Sequence, residues 1–378
     1  MRTGAGPLAG LRVVELAGIG PAPYAALLLA ELGADVVRVD RPGSEVPLGL
    51  AGLDRSRPSV AVDLKHSSGA EVVRRLADEA DVFIEGLRPG VTERLGLGPD
   101  DLLARNPRLV YGRMTGWGQA GPWAQRAGHD LTYAAISGAL HLCGPADRPV
   151  PPVNVLADFG GGSLFLVVGV LAALQSRTAT GGGQVVDAAM VDGAASLVTM
   201  IHALANMGLW QDRREANLLD GGAPFYATYA CADDRFVAVG ALEPAFHAEF
   251  VRLLEVDLEG EQYDVAAWPA HREAIAARFR TRTRDEWADH FEDSDACVAP
   301  VLTLAEAPRH PHLSARGTFV DTAQGPVPRI APRFSATPTL DPTPARAPGA
   351  DTKAVLGAAG FADGEIEELI AAGAVHQA

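Results

Sequence analysis

Cysteine is scarce in this 378-residue chain: Cys143, Cys231 and Cys297 are the only three, far apart, odd in number and without metal-ligand spacing. That argues against a disulfide framework or a cysteine metal site and suits a reducing compartment, so the cytoplasm is the expected location. Each is expected to act as a small buried hydrophobe. Positive charge is short as well. Lys and Arg total 32 against 47 Asp and Glu, a formal charge of -15 that would repel a nucleic acid or an acidic membrane surface. No nucleic-acid partner is therefore expected, and an anionic ligand must meet a local cluster of cations. The most apolar stretch, Leu164–Leu174, is eleven residues, whereas a membrane span needs about 20. It reads as a helix buried on all sides, and no membrane span is expected. Met1–Gly10 carries one Arg and no long apolar run, unlike a secretory leader.

Several catalytic signatures are missing too. None of the ten histidines belongs to a His-Glu-x-x-His array, and His310 and His312 lie in a proline-bounded turn, so no metal is expected. Without a Gly-x-Ser-x-Gly elbow, serine hydrolase chemistry has no support. No repeat of fixed period is found.

What is present is ample apolar material, 48% of residues against 21% charged, enough for a buried core and two domains. From Leu11 onward, short β-branched runs alternate with helical patterns. Leu11–Leu16, Asp35–Val39, Val60–Leu64, Val82–Leu87, Leu109–Met114 and Gln184–Asp187 read as strands. Pro21–Leu32, Ala70–Ala80, Asp130–Leu140, the apolar run after Gly162, and Ala188–Met207 read as helices. The pattern predicts an α/β fold with a Rossmann-like doubly wound parallel sheet in a large domain over residues 1–210. A polar linker at 211–224 then leads to a smaller α+β domain at 225–319. It has strands near Phe225–Tyr229 and Arg235–Val239 and helices near Pro244–Leu254, Trp268–Phe279 and Arg284–Phe291. Pro326–Pro348 is proline-rich and reads as extended surface chain, and Thr352–Ala372 regains helical spacing.

The first strand ends in Ala17-Gly18-Ile19-Gly20-Pro21-Ala22-Pro23, which starts as a dinucleotide fingerprint and breaks it at Pro23. Asp40, near the ribose-binding position, is followed at once by Arg41, so a nicotinamide cofactor is not expected. Arg38, Arg41, Arg55, Arg57, Lys65 and Arg88 nevertheless gather near successive strand ends. There they suit phosphates and an adenine face, although solvated arginines give the same pattern.

Three proton-handling side chains stand where regular elements should begin or end: His129 in Gly128-His129-Asp130, Asp158 before Phe159-Gly160-Gly161-Gly162-Ser163, and Glu243 in Leu242-Glu243-Pro244. Such groups can move a proton to and from carbon. Each also fits a plainer use: a core histidine, a helix cap and a helix-start carboxylate. Asn154 precedes Asp158 by four residues, so on a helix the amide could orient the carboxyl. Gly160 and Gly161 are expected to open the buried helix, with free backbone N–H groups facing developing charge.

The stretches Pro7–Leu16, Gly33–Asp40, Arg88–Val91, Gly116–Gln119, Asp158–Gly162 and Gly221–Tyr226 resemble the family III CoA-transferase superfamily (CaiB/BaiF type), over nearly the whole chain. The Gly-His-Asp and Leu-Glu-Pro segments resemble its racemase branch. The resemblance implies a large domain completed by about residues 320–378, an interlocked homodimer, and an acyl-CoA thioester substrate. It also implies that Glu243 meets His129 and Asp158 across the subunit boundary. CoA would enter as part of the substrate, with no separate cofactor. In the racemases the histidine and the carboxylate act as two acid/bases on a 2-methyl-branched acyl-CoA, with Glu243 fixing the His129 tautomer. In the transferases the same carboxylate attacks the thioester. A silent acyl-CoA-binding protein is a third reading.

Overall fold

Six short apolar strands, β1 (Arg12–Leu16), β2 (Asp35–Asp40), β3 (Ser59–Val62), β4 (Val82–Glu85), β5 (Val110–Thr115) and β6 (Val185–Ala189), form a parallel array in the order β3-β2-β1-β4-β5-β6. A seventh strand, Val375–His376, lies antiparallel to β3 at the edge. The computed structural model describes residues 5–44 and 51–378, so residues 1–4 of the Met1–Gly10 stretch lie outside the described residues. β3, β4 and β5 are buried at every position, as strands covered on both faces must be. The strand order is that of a doubly wound mononucleotide sheet, in which ligands enter beyond the carboxyl ends where the order reverses.

The chain divides into two units, one of Met1–Ser137, Val153–Val198 and Val327–Ala378, the other of Gly138–Pro152 and Thr199–Pro326. The expected boundary at 210 is thus observed twelve residues earlier, and Gly138–Pro152 clusters with the second unit.

In the first unit the helix Pro21–Glu31 joins β1 to β2, entered through Gly20 at φ 72°. Pro21 opens it, where the missing N–H would have had no partner in any case. Beside it, Glu15 of β1 and Arg57 are completely buried and paired at 3.1 Å. Arg57 also donates to Pro23 O at 2.7 Å and to Leu53 O. Burial pushes the Glu15 carboxyl up to about 7, against the opposing pull of Arg57 and then Arg38.

The connection from β5 to β6 holds the helix Asp130–Ile136, a π-helical segment Val155–Leu164, and the helix Phe165–Thr180. Here the structure corrects several expectations. The first helix stops at Ile136 instead of Leu140, because Ser137 is followed by Gly138 at φ 84°. Val155–Thr180 is continuous over 26 residues and is long and apolar enough to cross a membrane by length and composition, so the eleven-residue argument fails. Nor is it buried on all sides. Leu166, Val167, Val170 and Ala173 face the core, while Val168 is 64% exposed and Leu164 49%. Leu166 lies over Gly112 of β5, where a Cβ would come within 3.0 Å of it. The predicted helix Ala188–Met207 is also two: β6 runs through Ala189, Met190–Leu197 follows, and Thr199–Asn206 belongs to the second unit.

The second unit carries an antiparallel sheet of β7 (Tyr226–Ala230), β8 (Phe236–Gly240) and β9 (Val298–Pro300), in that order. Helices Pro244–Leu254, Trp268–Phe279 and Arg284–Phe291 stand at the predicted positions. They pack Phe250, Phe279, Trp287 and Phe291 against Tyr229 and Val237. Of the cysteines only Cys231 is fully buried, Cys143 is partly so, and Cys297 is exposed.

Candidate active site

His129 is the N-cap residue of Asp130–Ile136, in extended geometry at φ −140° and ψ 170°. Its carbonyl accepts from the N–H of Thr132 at 2.8 Å and of Tyr133 at 3.2 Å, and its own N–H donates to Thr132 Oγ1 at 3.0 Å. The backbone is therefore pinned, while the residue itself remains exposed.

The next residue, Asp130, is 4% exposed. Its Oδ2 accepts from the backbone N–H groups of both Ala157 and Asp158, at 2.7 Å each. Two residues distant in sequence are thus locked together: the histidine that begins one helix and the aspartate in the first turn of another. Asp158 is half-buried, with Asn154 Nδ2 3.4 Å from its Oδ2, so the amide and carboxyl share a face as the spacing predicts. Gly20 borders the same oxygen, since a Cβ there would stand 3.6 Å from Asp158 Oδ2. Burial pushes the Asp158 carboxyl above its ordinary value. The Asn154 hydrogen bond and His129 oppose that rise and the Asp130 charge reinforces it.

Tyr133, absent from the sequence reading, closes the site. Its ring lies where Gly116 and Gly128 have no side chains, their Cβ positions being 2.1 and 2.5 Å from ring atoms, and its edge meets Trp117 with centroids 4.7 Å apart. Burial, then the Asp158 charge, push the phenol up to about 12, with Arg88 opposing. The signal for Tyr133 lay in those two glycines.

Two other expectations change. Gly160 and Gly161 lie inside the helix that begins at Val155 and do not open it, and Asp130 takes the first-turn amides of Ala157 and Asp158. A Cβ on Gly161 would stand 2.6 Å from Ala194 N, and one on Gly160 3.0 Å from Val155 O and 3.2 Å from Leu197. Gly161 therefore permits a close backbone crossing with Met190–Leu197. Gly161→Ala is expected to cost about 1–3 kcal/mol, because a backbone neighbour cannot yield as a side chain would. The thermal midpoint measures that cost, and an unchanged midpoint would refute the crossing argument.

Among the cations, Arg38 is 1% exposed. It gives its donors to Asp40 at 2.8 Å and to the carbonyls of Asp54 and Arg346 at 3.0 Å each. Arg55 holds Glu31 at 2.6 and 3.0 Å and Pro328 O at 3.0 Å. Both brace the fold instead of standing free at the sheet rim as a phosphate ligand would. Arg41, Lys65 and Arg88 are exposed and follow β2, β3 and β4, on one rim of the parallel sheet. In the second unit, exposed Glu243 caps Pro244–Leu254, and its charge helps raise the Cys297 thiol, although burial is the larger cause.

The model of CoA-transferase family III matches residues 8–352. The chain belongs to that family. A mouse member named alpha-methylacyl-CoA racemase is 46% identical over 368 residues, covering 96% of each chain. The human protein of that name is 44% identical over the same length and shares. Among solved structures of the family, a CAIB/BAIF family protein from Brucella suis aligns with TM-score 0.81 at 28% identity, over 94% of this chain and 100% of its own. The resemblance carried by stretches such as Pro7–Leu16 and Asp158–Gly162 is therefore borne out at the level of the family.

Proposed function

We propose that this family III protein is a racemase that interconverts (2R)- and (2S)-2-methylacyl-CoA thioesters by proton transfer through an enolate, with no cofactor beyond the CoA of its substrate. The observation that carries the reading is the Asp158 carboxyl. It is half-buried, raised above its ordinary value, and electrostatically coupled to His129 on the neighbouring helix. A carboxyl raised by burial beside a histidine suits a pair in which each group gives a proton in one direction and takes one in the other. His129 takes the α-proton on one face and Asp158 returns one on the other, and the roles exchange for the opposite enantiomer. Asn154 orients the carboxyl. The names of the mouse and human relatives agree with this chemistry.

The exposed Arg41, Lys65 and Arg88 receive the CoA phosphates on the sheet rim. Exposed Val155, Leu164, Phe165, Val168 and Leu197 within the first unit support a homodimer, because apolar patches of this kind mark interaction surfaces. In that dimer the partner subunit's Glu243 orients His129. The unpaired cysteines favour the cytoplasm.

Incubation with one enantiomer of a 2-methylacyl-CoA in D2O, with and without a free acid, tests the reading. Deuterium at C2 together with loss of optical purity is the expected result. CoA exchange to the acid would establish a transferase instead, and saturable binding without either outcome would establish a silent binder.

A further inference from the structure

We propose that Asp130 is a positioning residue for proton return: its buried carboxylate occupies the helix N-terminal amides beside Asp158 and places a negative charge there, which favours the protonated form of Asp158 over the ionised one. The inference rests on the racemase reading and deepens it.

A carboxyl in the first turn of a helix should normally lose its proton easily. Unsatisfied N–H groups and the positive end of the dipole stabilise the anion, and a carboxylate that accepts backbone amides is acidified further. Asp158 stands in that turn, at the start of Val155–Leu164. The default electrostatics of its position therefore oppose the role of proton donor. Burial is the larger force against that default, and Asp130 adds to it by geometry. Its Oδ2 takes the N–H of Ala157 and of Asp158 itself, both at 2.7 Å, the short contacts of charge-assisted bonds. The other oxygen, Oδ1, is buried with no hydrogen-bond partner among the described residues. Among the described residues no further donor dilutes the negative charge presented to Asp158.

The elements packed on this helix also bring Tyr24, Glu31, Asp192, Tyr111, Arg113, Asp187 and Arg177, the last paired with Asp81. Arg55 holds Glu31, and Glu85 holds Arg113. Among the described residues the charges that bear on Asp158 are Asp130, which favours the protonated form, and His129, which opposes it. Tyr133 remains a neutral phenol beside them. Since His129 immediately precedes Asp130, one short segment supplies the base and sets the condition of the acid.

The test is a carbon-13 NMR titration of the aspartate carboxyls in the full-length protein, with the Asp158 resonance assigned by its disappearance in Asp158→Asn. In Asp130→Asn, which keeps an acceptor oxygen but removes the charge, Asp158 should titrate at lower pH. The limb of the pH–rate profile that depends on it should move the same way. At neutral pH, kcat/KM should then fall roughly tenfold or more, equally for both enantiomers, within the range a general acid supplies. Should Asp130→Asn fail to fold, Asp130→Ser carries the same expectation. An Asp158 titration that is unmoved or moves upward in a folded variant overturns the inference, even with racemisation intact in the parent. A downward shift in a protein that never racemises overturns the racemase reading alone, because the carboxyl titration needs no turnover.

Discussion

His129→Ala and Asp158→Ala are each expected to lower racemisation by about 10²–10⁴-fold or more, the range supplied by a positioned acid or base. The two variants should differ in isotope exchange. An enzyme with one base left can still abstract the α-proton from the enantiomer that presents it to that base, and can return deuterium to the same face. Each variant should therefore exchange one enantiomer in D2O without inverting it, and the competent enantiomers should be opposite. Chiral analysis combined with deuterium content at C2 measures both properties. Normal racemisation in both variants would remove His129 and Asp158 from the mechanism.

The second large effect concerns the buried pair beneath Pro21–Glu31. Arg57→Met leaves Glu15 without its counter-ion in a fully buried setting, and breaking such a pair costs about 3–5 kcal/mol. Its pH dependence follows from the raised Glu15 carboxyl. In the parent protein that group's folded-state value of about 7 exceeds its ordinary value of 4.5. The unfolded chain therefore releases the proton first, and stability falls as pH rises across that interval. Without Arg57 the carboxyl stays protonated to still higher pH, so the loss continues beyond 7. Denaturation midpoints at pH 6 and pH 8 should thus differ more in the variant than in the parent. Equal differences would show that Arg57 does not set the ionisation of Glu15.

The sheet was legible because its strands are short β-branched runs, and because single crossover helices separate the first of them at similar intervals. β9 escaped notice because Val298-Ala299-Pro300 is three residues long and ends in proline, which offers no alternation to read. The break after Leu197 escaped for the opposite reason, since Met190–Leu197 and Thr199–Asn206 continue one apolar pattern across it. At the site, His129, Asp158 and Asn154 could be named from residue type and spacing, with their chemistry supplied by the family resemblance. Asp130 could not, because its partners lie 27 and 28 residues downstream and no local periodicity joins them. Arg38 and Arg55 misled for a related reason. A cation at a strand end looks the same in sequence whether it faces solvent or, as here, carbonyls and carboxylates contributed by residues such as Arg346 and Pro328.

The antiparallel edge strand has a consequence for biogenesis. Val62 of β3 pairs with Val375, and Ser59 bonds through its N–H to Asp351 and through its Oγ to the N–H of Gly349. A growing polypeptide must therefore emerge from the ribosome beyond Val375 before β3 finds its outer neighbour, and the whole inserted second unit is translated in the interval. Contacts between such remote positions form late and slowly. Until then the border of β3 is an open hydrogen-bonding edge, the kind that favours mispairing during synthesis.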